Sequence, residues 1–203
     1  DVDQAFQLMF TDSLFIQQLL KLRRTHSVTI SPWQETASND KKRQLSYTLT
    51  LNHTLIKSAS TTETQYLLSQ TKPGSVYMIN SEVINHGVPY SDSYVVNSQW
   101  CLTKESVSSS RLKVHVEVVY TKNSWSIGLI KSMLEKSAIE GISDYCNNLA
   151  SHLVKWIKIE KRISEIPNNN GNDIVDNDLS IGQHNMNSSN RFNDFGDLKV
   201  FAD

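Results

Sequence analysis

The chain is poor in the residues that punctuate or staple a structure: 203 residues hold only 4 prolines, 7 glycines and 2 cysteines. Two cysteines exclude a disulfide scaffold. Cys101 and Cys146 both fall inside patterned segments and read as reduced, buried thiols of a cytosolic protein. No apolar run approaches the roughly 18 residues of a membrane span, and no signal peptide is visible. An excess of one charge is also missing. Lys and Arg number 20 against 21 Asp and Glu, a net charge of −1, which argues against nucleic acid as the main partner. The sequons at Asn52 and Asn187 matter only in a secreted protein, which nothing else indicates. The six histidines, at 26, 53, 86, 115, 152 and 184, are scattered, and HExxH, CxxC and GxSxG are absent. The chain opens on Asp1 in place of Met, so it reads as an excised fragment whose targeting or anchoring segments lie elsewhere.

What is present is hydrophobic periodicity of two kinds. Residues 3–24 carry Phe6, Met9, Phe10, Phe15, Ile16, Leu19, Leu20 and Leu22 at mostly helical spacing, with Asp12 or Ser13 as an N-cap at a joint between two short helices. From about 27 to 120 the period becomes two. "RQLSYTLTL" sets Leu45, Tyr47, Leu49 and Leu51 on one face, and "RLKVHVEVVY" does the same with Leu112, Val114, Val116, Val118 and Tyr120. "SVTISPW", "TTETQYLLS", "SVYMINSEVI" and "YVVNSQWCLT" lie around and between them, separated by turn signals such as "KPG" at 72–74 and "HGVPYSD" at 86–92. About six strands with no long helix among them predict an antiparallel meander with one buried face.

The period returns to 3.6 from about 126 to 162, where Ile130, Leu134, Ala138, Ile142, Tyr145, Leu149, Leu153 and Trp156 share a stripe and Ser124 is the expected cap. Gly141 within that run implies close packing or a kink. Beyond Pro167 the composition shifts to Asn, Asp and Ser without periodicity, so residues 1–162 read as one domain and 163–203 as a disordered tail in which "LKVF" is a candidate binding segment. The expected class is α+β: a curved sheet of about six strands around a long C-terminal helix, with short N-terminal helices. A single helix does not fill the width of such a sheet, so either large side chains occupy the remainder or a hydrophobic cavity for a small ligand is left. The connection "LNHTLIKSAS" at 51–60 places Leu55 and Ile56 at the rim of that space, as a lid, as a segment dipping into a bilayer, or folded back on its own domain. The basic clusters "KLRR" (21–24) and "KKR" (41–43) read as solvated charge or as contact with an anionic membrane surface.

The order of motifs resembles the VASt domain, the StART-like sterol-transfer domain of the Aster and Lam membrane-contact-site proteins. The matching segments are "LMFTDSLFIQQLL", "ISPW", "RQLSYTLTLNHTLIKSASTTETQ", "EVINHGVPYSDSY", "RLKVHVEVVYTKNSW" and "GLIKSMLEKSAIEGISDY", over roughly residues 2–160. The resemblance implies a helix-grip fold and a cavity that takes one sterol, carried as cargo without any cofactor, for non-vesicular transfer between apposed membranes. It also implies that "NHTLIKSAS" is the mobile lid and Lys57 its recurrent lysine; Leu55 and Ile56 stand where family members often have Gly-Pro or Ala-Pro, a more apolar lid. The layout implied for the whole protein is a GRAM domain upstream and an endoplasmic-reticulum anchor downstream, with this domain soluble and monomeric on the cytosolic side of that membrane at contact sites.

A sterol hydroxyl needs a polar partner or a bound water; the candidates are Tyr47, Tyr66, Glu82 and Ser98. The wall candidates are Phe10, Phe15, Leu49, Leu51, Tyr77, Val96, Val116, Val118, Ile130 and Leu134, and the lid and membrane contacts Asn52, Leu55, Ile56, Lys57 and Ser58. For each wall residue the plain alternative is ordinary core packing. Three other functions compete. Glu63 and Glu82, if they face one another on adjacent strands, make a carboxylate pair for catalysis or for solvating a cavity water. "HGVPYSDSY" is either a protein-recognition loop or a tight strand connection. A different lipid on the same fold is the remaining reading.

Overall fold

A computed structural model describes residues 1–51, 57–121, 125–165 and 198–202. Helix α1 (Val2–Phe10) opens with a capping box, in which the Asp1 side chain accepts from the Gln4 amide at 2.9 Å while the Gln4 side chain accepts from the Asp1 amino group. Helix α2 (Leu14–Leu22) is capped by Ser13, whose hydroxyl accepts from the Ile16 amide at 3.1 Å. Asp12, the alternative cap, instead accepts from the Gln17 side chain at 2.9 Å. The joint between the helices falls where the sequence placed it.

Strands β1 (Thr25–Ile30), β2 (Gln34–Glu35), β3 (Lys41–Thr50), β4 (Ser58–Leu67), β5 (Val76–His86), β6 (Tyr94–Lys104) and β7 (Ser110–Tyr120) follow, then helix α3 (Trp125–Glu165) and strand β8 (Leu198–Ala202). The sheet runs β1-β3-β4-β5-β6-β7-β8, with the short β2 also on β3. Every pairing through β7 is antiparallel, as an alternating pattern with one wet face requires, and β8 alone adds parallel. The meander is therefore the predicted one, in the α+β helix-grip class, with β2 and β8 added to the six expected strands. The tail was read as disordered, yet its five residues Leu198–Ala202 form β8; Ser124, Asn187 and residues 166–197 lie outside the described residues.

Register fixes which side chains share a face. Arg43, Gln65, Ser81, Ser98 and Val116 stand in one row across β3 to β7, and Leu45, Glu63, Val83, Val96 and Val118 in the next. These rows point toward α3. At one end of this concave face Tyr77, Ile79, Trp100, Leu102, Leu112 and Val114 are buried beneath α1, α2 and the second half of α3. Phe6 stacks on Tyr77 at 4.1 Å, and Phe15 stacks on His152 at 4.7 Å and meets Trp156 edge-on at 5.6 Å. At the other end lie the β3–β4 and β5–β6 connections and the start of α3.

The α3 stripe is graded to match. Ile130, Leu134 and Ala138 are half-buried, whereas Cys146, Leu149, His152 and Leu153 are buried. Gly141 lies within one continuous helix and marks no close approach: it is exposed, and a Cβ built there meets nothing within 4 Å. Gly141→Ala is therefore expected to raise stability by about 0.5–1 kcal/mol, read as a higher urea midpoint at unchanged slope. His152 gives the core a pH dependence. Burial lowers its pKa below the usual 6.5, opposed by a hydrogen bond to the Phe15 backbone. The unfolded chain takes up a proton as pH falls through about 6.5 while the folded core resists it, so stability present above that pH is lost below it. Thermal melts at pH 7.5 and 5.5 are expected to differ more in the natural chain than in His152→Leu.

Candidate functional site

The half of the concave face that holds the end of β3 and the start of β4 is less fully covered than the other half. Tyr47, Leu49, Glu63, Val83, Asn85, Val116 and Val118 point inward yet remain half-buried, opposite the half-buried Ile130, Leu134 and Ala138 of α3. Two tyrosines belong to this half of the interior. Burial, then the charge of Glu63, pushes the Tyr47 hydroxyl well above its usual pKa, and Tyr145 on α3 is raised by the same two causes. Both side chains nevertheless keep accessible surface.

A polar cluster interrupts the wall. Glu63 Oε1 accepts from Gln65 Nε2 at 2.6 Å and from Ser81 Oγ at 2.8 Å, while Oε2 accepts from the Tyr47 hydroxyl at 3.1 Å. Gln65 Oε1 in turn accepts from Arg43 Nε at 2.8 Å, and the guanidinium lies 4.6 Å over the Trp33 ring. Burial lowers Arg43 to about 10, with the negative charge of Glu63 acting against that, so it stays cationic at neutral pH. Gln65 thus links a buried cation to a carboxylate that has three donors, which is how a charge persists away from water. An ionised carboxylate accepts and never donates. Further toward the open end, Thr61 Oγ1 donates to Asn85 Oδ1 at 2.8 Å.

The sequence candidates divide into four groups. Tyr47, Leu49, Val96, Ser98, Val116 and Val118 do face inward, and Ser98 Oγ accepts from Trp100 Nε1 at 2.8 Å. Ile130 and Leu134 lie on the half-buried part of α3, and Leu51 is half-buried just past β3. Tyr66 and Glu82 belong to the opposite, convex face: Lys42 sits 5.5 Å over the Tyr66 ring, and Glu82 is exposed. Both are corrected by register, since Glu82 pairs with Thr64 whereas Glu63 pairs with Val83. Glu63 and Glu82 therefore do not face each other. Phe10, Phe15 and Tyr77 are packed core; Phe10 meets Phe6 and Trp100, and the Tyr77 hydroxyl donates to Asp3 at 2.7 Å.

Among the lid residues, Asn52, Leu55 and Ile56 lie outside the described residues. Their flanks are joined by a bond from the Leu51 amide to the Lys57 carbonyl at 2.8 Å, and Lys57 and Ser58 are exposed. In the basic clusters Lys21, Arg24, Lys41 and Lys42 are exposed, whereas Arg43 is buried in the network and Arg23 pairs with Asp144 at 3.3 Å and lies 5.0 Å over Tyr145. Cys101 and Cys146 are free thiols, and burial pushes Cys146 up to about 11. Gln65 and Ser81 were not singled out by the sequence, while Glu63 entered only as a partner for Glu82, Arg43 only within a basic cluster and Tyr145 only in the helical stripe.

A curved antiparallel sheet grips one long helix, and half-buried apolar side chains share its concave face with the Glu63 acceptor cluster. The profile of the family described as VAD1 Analog of StAR-related lipid transfer domain, VASt, matches residues 1–141, and the chain belongs to that family. Among curated relatives it is 34% identical over 155 residues to Protein Aster-B of Homo sapiens, covering 76% of this chain, and 36% identical over 154 residues to Protein Aster-A of Rattus norvegicus, covering 75%. The match spans 21% of the length of each relative. Among the described residues no helix is long and apolar enough to cross a membrane, and no group of three or more His, Cys, Asp or Glu is placed to hold a metal.

Proposed function

We propose that the domain binds one sterol in the space between the sheet and the first half of α3 and carries it between apposed membranes, at endoplasmic-reticulum contact sites and without catalytic chemistry. The observation that carries this is the Glu63 cluster, an acceptor-rich point on a wall that also presents Leu49, Val83, Val116 and Val118. A rigid ring system buries a large apolar area at little cost in conformational entropy, and its one hydroxyl can donate to Glu63 Oε2 or Tyr47 Oη. The reverse orientation, with the hydroxyl outward, leaves that acceptor site against hydrocarbon. Lys57 and Ser58, exposed beside the β3–β4 connection, stand where a lid meets an anionic surface.

Chemistry distinguishes this reading from that of an unselective apolar sac. A 3β-hydroxysterol donates a hydrogen bond and its 3-ketone does not. The hydroxysterol is expected to bind the natural chain about tenfold more tightly than the ketone, and Glu63→Leu is expected to remove most of that preference. Equal affinity for the two sterols in the natural chain overturns the orientation. In liposome transfer assays Lys57→Ala is expected to slow transfer from anionic vesicles about fivefold, with binding in solution unchanged. Saturable binding of a phospholipid in preference to both sterols would select the other-lipid reading.

A further inference from the structure

The two edges of the sheet are treated differently. An edge strand presents a row of unpaired N–H and C=O groups that recruits another strand unless something blunts it. At the β1 edge the register with β3 shifts between His26 and Thr29, and Ser27 takes a left-handed φ of 52°. That bulge spoils the edge as a template. β7 has no such device. It pairs with β6 without a break from Ser110↔Lys104 to Tyr120↔Tyr94, so its far side is a regular row eleven residues long. Against the first part of that row, beside α3, lies β8.

We infer that the β7 edge from Ser110 to Val114, flanked by α3, is a strand-addition site for an extended apolar peptide, and that Leu198–Ala202 is its tethered, exchangeable occupant in cis. The phase of the pattern supports this. Leu198, Val200 and Ala202 stand in register with Ser110, Leu112 and Val114, the buried inward positions of β7, while Lys199 and Phe201 stand in register with Arg111 and Lys113. A slip of one residue would set Lys199 at the level of Leu112, which has no exposed surface. The tail thus carries a period-two apolar pattern in phase with the strand it joins, within a stretch otherwise rich in Asn, Asp and Ser. Main-chain pairing supplies affinity and alternate side chains supply specificity in such additions.

Five parallel residues pair weakly by themselves. The covalent link raises their local concentration to about the millimolar range, which is enough to populate the docked state while leaving it exchangeable. Residues 166–197 have a contour of at most about 3.4 Å each, so they reach this edge and equally that of a second molecule.

Val200→Pro removes one amide of β8 and leaves residues 1–165 unchanged in sequence. In the full chain, hydrogen exchange at alternate amides from Ser110 to Val114 is expected to run about tenfold faster in Val200→Pro, with β3 and β4 unchanged. A synthetic peptide of residues 197–203 added to that variant is expected to restore protection, and the same peptide with proline at position 200 is not. Identical exchange in the two proteins, or no rescue by the peptide at millimolar concentration, overturns the proposal. Protection in the natural chain that disappears on dilution, together with a dimeric mass, overturns the occupancy in cis.

Discussion

Phe15→Ala is expected to lower the free energy of unfolding by about 3–5 kcal/mol, a large share of what a domain of this size possesses. Phe15 has no exposed surface, and it is held from two sides by α3, through the His152 ring at 4.7 Å and the Trp156 ring at 5.6 Å. Its removal leaves a cavity between α2 and α3 that a rigid sheet cannot close. Chemical denaturation followed by tryptophan fluorescence measures the loss. A cost below about 1 kcal/mol would mean that α3 is free to collapse onto α2, and that the closed end of the grip is less rigidly packed than its contacts imply.

The second large effect separates space from packing. Val83 points inward from the middle of the sheet, between Glu63 on β4 and Val96 on β6, and is half-buried. If the interior there is open, Val83→Trp inserts an indole into it and leaves stability nearly unchanged, while sterol affinity falls about a hundredfold or is lost. If the site is packed, the same substitution costs about 1–3 kcal/mol by overpacking. Thermal melts and a binding titration on one variant therefore read both outcomes. A Val83→Trp protein that folds normally and binds sterol as tightly as the natural chain would move the ligand site elsewhere.

How legible each part was in the sequence follows from which forces leave a local trace. β3 and β7 alternate cleanly because their inward residues are Leu, Tyr and Val and their outward residues are polar, so both facing and extent were readable. The two short helices and their Ser13 cap were readable for the same reason. β4 was not, because its inward residues are Thr61, Glu63 and Gln65, a buried polar set that hydropathy assigns to solvent. β5 mixes the signals: Met78 and Ile84 face outward while Ser81 faces in, so Glu82 passed as a cavity residue. Only register, a long-range property, places Glu63 beside Tyr47 and Ser81. The aromatics Phe10, Phe15 and Tyr77 were recognisable as buried, but nothing local distinguishes the closed end of a concave face from its open end. β8 had no local signature beyond five alternating residues, since its partner lies more than eighty positions away in the chain.

The central claim is a single sterol held inside the grip. The most direct measurement is a titration of the full chain with a fluorescent sterol, read by energy transfer from tryptophan, with a phospholipid and unlabelled sterol as competitors. Trp100 lines the concave face and touches Tyr145, so a bound sterol is within reach of a donor. Saturation at one sterol per chain, displacement by unlabelled sterol, no displacement by phospholipid, and loss of the signal in Val83→Trp are expected. Signal that fails to saturate, or that phospholipid displaces as readily as sterol does, would contradict that claim.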